Sequence, residues 1–169
     1  MVQTRNISNV VHWGFGFFLV FASFCTVQNI VAAAYDQNGY GSLGFYTIGM
    51  IYVFFAAGSL LCPSLIEQLG AIKSMTWGSF WYFVWVISCL LPVIFINEYP
   101  TNVIIWVVML TTGSINGIGA SMIWVGQGKY ISTWWIESNK GLFFGLVWAI
   151  FAFSFIIGNL LGNHWKLTL

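Results

Sequence analysis

Charge is what this 169-residue chain has least of, because Lys, Arg, Asp and Glu together make up only 5% of it. The formal net charge is +1, which gives no electrostatic basis for binding nucleic acid. No charged residue lies deep in any of the apolar segments described below. Proton-coupled carriers and pumps usually place such a residue near the membrane midplane, so nothing in the sequence supports proton coupling.

Catalytic and metal-binding motifs are missing as well. The sequence has no nucleophile paired with a base, no HExxH pair and no phosphate-cradling loop. Cys25, Cys62 and Cys89 show no CxxC or Cys/His spacing, so we expect packing residues rather than a disulfide or metal ligands. The chain is therefore predicted not to be an enzyme and to use no cofactor or metal.

Apolar residues are abundant: 59% of the chain is hydrophobic and 20% is aromatic, more than an ordinary soluble domain of this size buries. They form blocks of about 20 residues, the length that crosses a hydrocarbon core of about 30 Å. We predict an all-α, polytopic membrane helix bundle, held in the lipid bilayer as a single membrane domain over residues 1–169. The predicted spans lie near Val10–Ala34, Leu43–Pro63, Ile72–Ile96, Asn102–Val125 and Leu142–Leu161.

Lysine and arginine fall mainly on one side of these spans. Arg5, Lys73, Lys129 and Lys140 lie on the side of the amino terminus, and Lys166 is on the other. Because basic connectors are retained in the cytosol, the amino terminus is predicted to be cytosolic. The glycosylation sequon at Asn6 is then expected to stay unused. The sequence does not indicate which membrane holds the protein.

Small residues recur at every fourth position of the fourth span. Gly113, Gly117 and Ser121 share one helix face, and Gly158 provides a similar surface in the fifth span. Small residues let neighbouring backbones approach closely, which is how many helices associate in lipid. We therefore predict that these four residues pack helices together.

A faint internal repeat accompanies this pattern. Gly58 of the second span falls on Gly158 of the fifth at an offset of 100 residues, and Ser23 falls on Ser121 at an offset of 98. Such an offset indicates a three-helix unit that is repeated, as in each half of a major facilitator transporter.

Amide side chains inside the spans are the best functional candidates. Gln28 and Asn29 lie in the first span, Asn116 and Gln127 in the fourth, and Asn159 in the fifth. Each must face another helix or a water-filled cavity, because an unpaired amide is unfavourable in hydrocarbon. Two interpretations remain open: interhelical hydrogen bonds, each worth about 0.6 to 2 kcal/mol, or one shared polar cavity.

Four segments cover most of the chain in a recognisable order. They are GFGFFLVFASFCTVQNI (14–30), LGFYTIGMIYVFFAAGSLLCPSLIEQLG (43–70), GIGASMIWVGQGKYIS (117–132) and NKGLFFGLVWAIFAFSFIIGNLLG (139–162). Together they resemble the uncoordinated-93 (unc-93-like) ion channel regulatory branch of the major facilitator superfamily. The most specific part is similar to that family's tryptophan and glutamine signature, and comprises Trp124, Gly126, Gln127, Gly128 and Tyr130.

This resemblance implies a truncated amino-terminal half of a major facilitator fold, since about five helices are predicted where such a half has six. Family members resemble twelve-helix transporters and are known for regulating potassium channels or escorting receptors. An ion channel or another membrane protein is thus the expected partner, together with oligomerisation or a missing second half. The alternative is half of a carrier for a small solute, with Gln28, Asn29, Asn116 and Asn159 lining the cavity.

Overall fold

The computed structural model describes residues 2–95, 103–133 and 140–166, and all regular structure within these ranges is helical. Five of the helical segments are both long enough and apolar enough to cross a membrane, as expected for an all-α membrane bundle. The helices are α1 (Val2–Gln37), α2 (Leu43–Leu69), α3 (Ala71–Ser88), the short α4 (Leu91–Ile94), α5 (Val103–Ser132) and α6 (Lys140–Lys166).

Several helix ends differ from the sequence-based bounds. Pro63 does not end the second helix but lies inside α2, because the backbone group that a proline leaves unbonded can be accommodated within a packed membrane bundle. Instead, α2 ends at Leu69, and the next residue, Gly70, has a φ of 82°, which is readily available only to glycine. One residue therefore connects α2 to α3.

The third and fourth spans also end differently. A turn at Cys89 and Leu90 interrupts the third span, and the following short helix has Pro92 in its first turn. The fourth span corresponds to α5, which continues beyond the predicted end at Val125 as far as Ser132. Trp134 and Trp135, whose amphipathic rings are expected to anchor at headgroup level, lie outside the described residues.

The helices form two packed groups. In the first, α5 packs against α2 on one face and against α3 on another. In the second, α1 packs along α6. Contacts between the two groups are sparser and run mainly from α1 to α2 and α3. A seam between the two groups therefore crosses the bundle.

One end of the bundle holds two of the lysines. Val10 of α1, Ile131 of α5, and Phe143 and Val147 of α6 form one buried cluster. The start of α1, the end of α5 and the start of α6 therefore lie at the same end. Lys129 and Lys140 belong to these segments, which agrees with the grouping of charges inferred from the sequence.

Candidate functional site

A cavity of about 190 Å³ lies in the seam between the two helix groups. All five long helices contribute to its wall. Its polar lining consists of Gln28, Tyr52, Tyr82 and the Cys25 thiol, with no charged side chain. The aromatic residues of the wall are Phe21, Phe24, Tyr52, Phe55, Tyr82, Trp124, Phe151 and Phe155.

Trp124 lies at the centre of this aromatic wall. Its ring is 5.3 Å from that of Phe21 and 5.0 Å from that of Phe151, both edge-on. Such edge-to-face pairs contribute about 0.5–1.5 kcal/mol beyond the burial of their area. The tryptophan therefore links α5 to α1 and α6 across the seam.

The other residues of the tryptophan and glutamine segment have different surroundings. A Cβ added to Gly126 would lie 2.9 Å from the Met75 Cγ, so this glycine lets α3 approach α5. Gln127 is 4% exposed, and its Oε1 has no hydrogen-bond partner. Gly128 faces open space. The Tyr130 ring lies 5.9 Å from that of Trp13, at the end of the bundle where α1 begins.

A hydrogen bond crosses the seam beside the cavity. The Gln28 Nε2 of α1 donates to the Tyr52 hydroxyl of α2 at 2.9 Å. Both side chains line the cavity, so this pair adds an amide carbonyl and a phenol to the polar groups that a ligand could meet there, beside Tyr82 and the Cys25 thiol.

Asn116 lies at the same depth as this pair. Along α2 and α5, Gly113 meets Thr47 and Gly117 meets Ile51, which places Asn116 at the level of the residues next to Tyr52. Two contacts fix the level of α1 against α5: the Phe21 ring meets that of Trp124, and the Tyr35 hydroxyl reaches the Met109 sulfur. Gln28 is midway between the two contacts on α1, and Asn116 is midway between them on α5. The two amides therefore lie at the same depth.

Trp85 of α3 completes this polar layer. Ser88 and Thr112 share a hydrogen bond on one side of it, and Gly78 abuts Gly119 on the other, which sets Trp85 at about the depth of Asn116. Both side chains are fully buried, yet the indole Nε1 and both amide atoms of Asn116 have no hydrogen-bond partner. A buried polar group without a partner costs about 1–3 kcal/mol, so this layer carries unused hydrogen-bonding capacity.

Asn29 and Asn159 form a separate pair. The Asn29 amide donates to the Asn159 Oδ1, and the Asn159 amide donates to the Phe155 carbonyl at 2.8 Å. This pair joins α1 to α6. Of the five amides predicted to be functional, Gln28 and Asn116 therefore share a depth next to the cavity, Asn29 and Asn159 bind each other, and Gln127 lies three turns away from Asn116.

The predicted small-residue face of α5 lies against α2. A Cβ on Gly117 would be 2.8 Å from the Phe54 Cβ and 2.9 Å from the Phe55 amide nitrogen. Ser121 lies beside Gly58 and shares a 2.9 Å hydrogen bond with Cys62. Gly158 takes the corresponding position on α6, where an added Cβ would be 2.7 Å from the Cys25 Cβ.

The chemistry of the site follows from its neutrality. The cavity has no cation for a carboxylate or phosphate and no carboxylate for an ammonium group. Within the described ranges, no group of three or more His, Cys, Asp or Glu side chains is placed to hold a metal ion, and the three cysteines are buried and free. The wall suits a small neutral or aromatic molecule, or a cation bound over aromatic faces.

Comparison with known proteins identifies the family. Residues 38–165 match the family described as "Ion channel regulatory protein UNC-93". The chain belongs to the UNC-93 family. The resemblance seen in the sequence is thereby confirmed, and the matched range contains the whole segment from Trp124 to Tyr130.

Relatives from animals and plants extend the match. The UNC93-like protein MFSD11 of Xenopus laevis is 28% identical over 161 residues, covering 94% of this chain and 34% of the relative. Protein unc-93 homolog A of Mus musculus is 25% identical with the same coverage, and UNC93-like protein 3 of Arabidopsis thaliana is 26% identical over 86% of the chain. The chain spans about a third of the length of these curated relatives. No solved structure matches it significantly.

Sequence reasoning about this UNC-93 member missed the aromatic wall and the tryptophan of the polar layer. Trp77, Trp81 and Trp85 recur at every fourth residue, a spacing that predicts either a lipid-facing stripe or a flat packing seam. In the structure the three are not equivalent: Trp77 is 54% exposed and Trp85 is fully buried. A usable signal was Gly78, because a glycine in mid-helix marks the face that packs closely, and Trp85 lies two turns along that face.

Proposed function

We propose that this UNC-93 family protein acts by contact with an ion channel or another membrane protein, as one membrane domain over residues 1–169. The observation that carries the proposal is the match of residues 38–165 to a family described as ion channel regulatory. The neutral cavity supports it, because its wall holds none of the charged side chains that proton-coupled carriers usually place near the midplane. Oligomerisation or association with a second helical half belongs to the same proposal.

A polar groove at the side of the bundle also favours a protein partner. Gln28 and Asn29 line a groove of about 430 Å³ that includes Asp36 and Phe45. Gln28 and Asn29 lie two turns or more from the end of α1, within the membrane-spanning part. Their amides already bond to Tyr52 and Asn159, but lipid chains offer no hydrogen bonds to the polar atoms that remain, so contact with protein or water is favoured at this groove.

The proposal is tested by recording currents from potassium channels expressed with and without the chain. We expect the current to change at constant channel amount, and the channel to co-purify with the chain. Gly49→Leu is the control that should keep this effect, because Gly49 is exposed and has open space around it. Unchanged currents together with no co-purification across the channels tested would contradict the proposal.

A second candidate is half of a carrier for a small solute, and the cavity is the observation that favours it. The cavity has a volume of about 190 Å³ and a mainly apolar wall, in which the Gln28–Tyr52 pair provides a polar contact. In cells supplying a complementary half, uptake of a neutral aromatic compound should then depend on Gln28 and be lost in Gln28→Leu. Uptake that is equal with and without the chain would exclude the carrier.

The cytosolic amino terminus remains part of the proposal. Ser42 is exposed in the turn between α1 and α2, so Ser42→Cys should react with a membrane-impermeant maleimide added outside the cell. Lys73→Cys, which is exposed at the opposite end, should react only after permeabilisation. The native cysteines are buried and provide a low background. The reverse labelling pattern, or a glycan on Asn6, would invert the orientation.

A further inference from the structure

The aromatic cavity in the seam adjoins the polar groove that runs along α1 and α2, because Gln28 lines both spaces. On α1 the groove continues to Ala32 and Asp36, which follow Gln28 at every fourth residue and share its helix face. On α2 it is lined by Ile48 and Phe45. A rise of about 1.5 Å per residue places Asp36 about 12 Å from Gln28 along α1, next to the end of that helix.

Asp36 makes this groove an acidic entrance. It is exposed, and among the described residues that line the groove or the cavity it is the one with a charge. A carboxylate at the mouth of a cleft with apolar walls concentrates cations and repels anions. The path to the cavity therefore favours a positively charged ligand, and it gives no advantage to an uncharged one.

The rings around the cavity form one connected wall. The Tyr82 ring lies 4.9 Å from that of Phe24 and 5.3 Å from that of Phe21. From Phe21 the ring contacts continue to Trp124 and Phe151, so four helices supply adjoining rings. The face of an aromatic ring carries partial negative charge and attracts a cation that lies within about 6 Å of its centre. An aromatic wall can therefore hold a cation without a carboxylate.

The hydrogen-bonding groups of the wall decide which kind of cation fits. A primary ammonium group has three N–H donors, and burying them without acceptors is unfavourable. The described wall has no carboxylate, and its oxygen acceptors are the Gln28 carbonyl and the hydroxyls of Tyr52 and Tyr82. Of these, the Tyr52 hydroxyl already accepts from Gln28. A quaternary ammonium group has no N–H and leaves no donor unpaired.

The volume of the cavity limits the size of the ligand. A water molecule takes up about 30 Å³ of the liquid, so the cavity of about 190 Å³ corresponds to about six waters. This is room for a ligand of about five to seven non-hydrogen atoms. Tetramethylammonium and choline are quaternary ammonium compounds of that size.

We propose that the seam cavity binds a small quaternary ammonium group, which enters past Asp36 and is held against the aromatic wall. The proposal selects one of the ligand classes that the neutral wall by itself leaves open. It goes beyond the proposed function, because binding of this group requires neither a channel nor a second helical half. If a channel co-purifies with the chain but the cation does not bind, the regulatory function stands and this inference is wrong.

The first test measures binding of tritiated choline to the full chain in nanodiscs whose lipids have no choline headgroup. Two competitors separate charge from shape: 3,3-dimethyl-1-butanol has a carbon in place of the charged nitrogen of choline, and ethanolamine has a primary ammonium group. We expect saturable binding that tetramethylammonium displaces, with both competitors at least tenfold weaker. Absence of saturable binding, or equally strong displacement by either competitor, would overturn the proposal.

Substitutions at Tyr52 test the contact with the aromatic wall. Tyr52 lines the cavity but is 52% exposed, so its replacement should change the melting temperature little. Tyr52→Leu should weaken choline binding about fivefold, whereas Tyr52→Phe, which keeps the ring, should stay within about twofold of the wild type. The control is Phe83→Leu, which removes a 61% exposed ring of α3 outside the cavity and should bind choline normally. Equal affinity of Tyr52→Leu and this control would contradict the proposal.

Asp36→Asn tests the entrance. At low salt the affinity for choline should fall about threefold, and the difference should disappear at high salt, because salt screens the exposed carboxylate. Equal affinity of the variant and the wild type at low salt would contradict the acidic entrance on which the choice of a cation depends.

A change of lipid identifies the source of the quaternary ammonium group. The choline measurement is repeated in nanodiscs of phosphatidylcholine. Unchanged binding assigns the cavity to a free cation, whereas loss of binding assigns it to the choline headgroup of a lipid. Both results support recognition of the group.

Discussion

The α2–α5 and α1–α6 interfaces have matching geometry but different chemistry. The first is a contact of small residues, in which Gly113 and Gly117 lie directly against the α2 backbone. The second also has a glycine contact, at Gly158, but joins its helices through an amide pair, Asn29 with Asn159, and the Thr26 hydroxyl reaches the Gly158 carbonyl at 3.3 Å. For α2–α5, the side-chain bond described above is that between Ser121 and Cys62. One helix arrangement is therefore stabilised mainly by close packing in one copy and partly by amides in the other.

This difference shows what each interface tolerates. An added side chain destabilises a close backbone contact, because the packed backbone atoms can move apart only at a cost in free energy. A hydrogen bond between amides contributes little in membranes, since the separated helices find other partners. We therefore expect steric substitutions to dominate over polar ones, and most strongly at α2–α5.

The largest effect is expected for Gly117→Leu. The new side chain would overlap the Ile51 carbonyl oxygen as well as Phe54 and the Phe55 backbone, so the free energy of unfolding should fall by about 3 kcal/mol or more. Thermal unfolding in detergent, followed by size-exclusion fluorescence, measures the loss. Gly49→Leu, on the exposed side of α2 with open space around it, is the matched control. Equal melting temperatures for the two variants would contradict the close-packing account.

Gly158→Leu tests the corresponding position in the second interface. The added atoms would meet the Cys25 Cβ and the Ala22 carbonyl. Because polar bonds also hold this pair, we expect a smaller loss, about 2 kcal/mol, in the same assay. Gly145→Leu on α6 is the control, since Gly145 has no neighbour within 4 Å. A loss larger than that of Gly117→Leu would reverse the ranking of the two interfaces.

Asn116→Leu should raise stability. Both amide atoms of Asn116 are buried without a partner, and an apolar side chain of similar size removes that cost, so a gain of about 1 kcal/mol is expected. The melting temperature should rise, whereas Asn29→Leu, which breaks a formed pair, should lower it. A fall in both variants would indicate that Asn116 has a partner in the membrane.

The smallest effect concerns the amide pair itself. A double-mutant cycle with Asn29→Leu and Asn159→Leu should give a coupling energy of about 0.6 kcal/mol. The measurement is the difference between the double variant and the sum of the singles in the same unfolding assay. A coupling above about 2 kcal/mol would mean that α1–α6 depends on polar bonding more than on Gly158.

The membrane class and the five spans could be predicted from the sequence. The apolar composition indicates contact with lipid, and the thickness of the hydrocarbon core sets a span length of about 20 residues. Gly113, Gly117 and Ser121 were predicted to share a face, since a helix period of 3.6 residues places them there. The helix ends were less predictable. Pro63 reads as a stop in water-soluble proteins, yet within a packed bundle it continues the helix to Leu69.

The pairing of polar groups could not be predicted. Gln28 and Asn29 are adjacent in sequence but face different helices, so one reaches Tyr52 of α2 and the other reaches Asn159 of α6. A sequence pattern gives the angular position of a side chain on its own helix, but not the rotation of that helix against its neighbours. The buried Trp85 was missed for the same reason.

The single-residue connection at Gly70 has a mechanical consequence. It ties together α2 and α3, which pack against two faces of α5, so we expect this group to be the stiff part of the bundle. Lateral tension in the bilayer would then strain the seam rather than the group. Because the aromatic cavity lies in that seam, we expect its volume to be the dimension of this protein that responds most to membrane stretch.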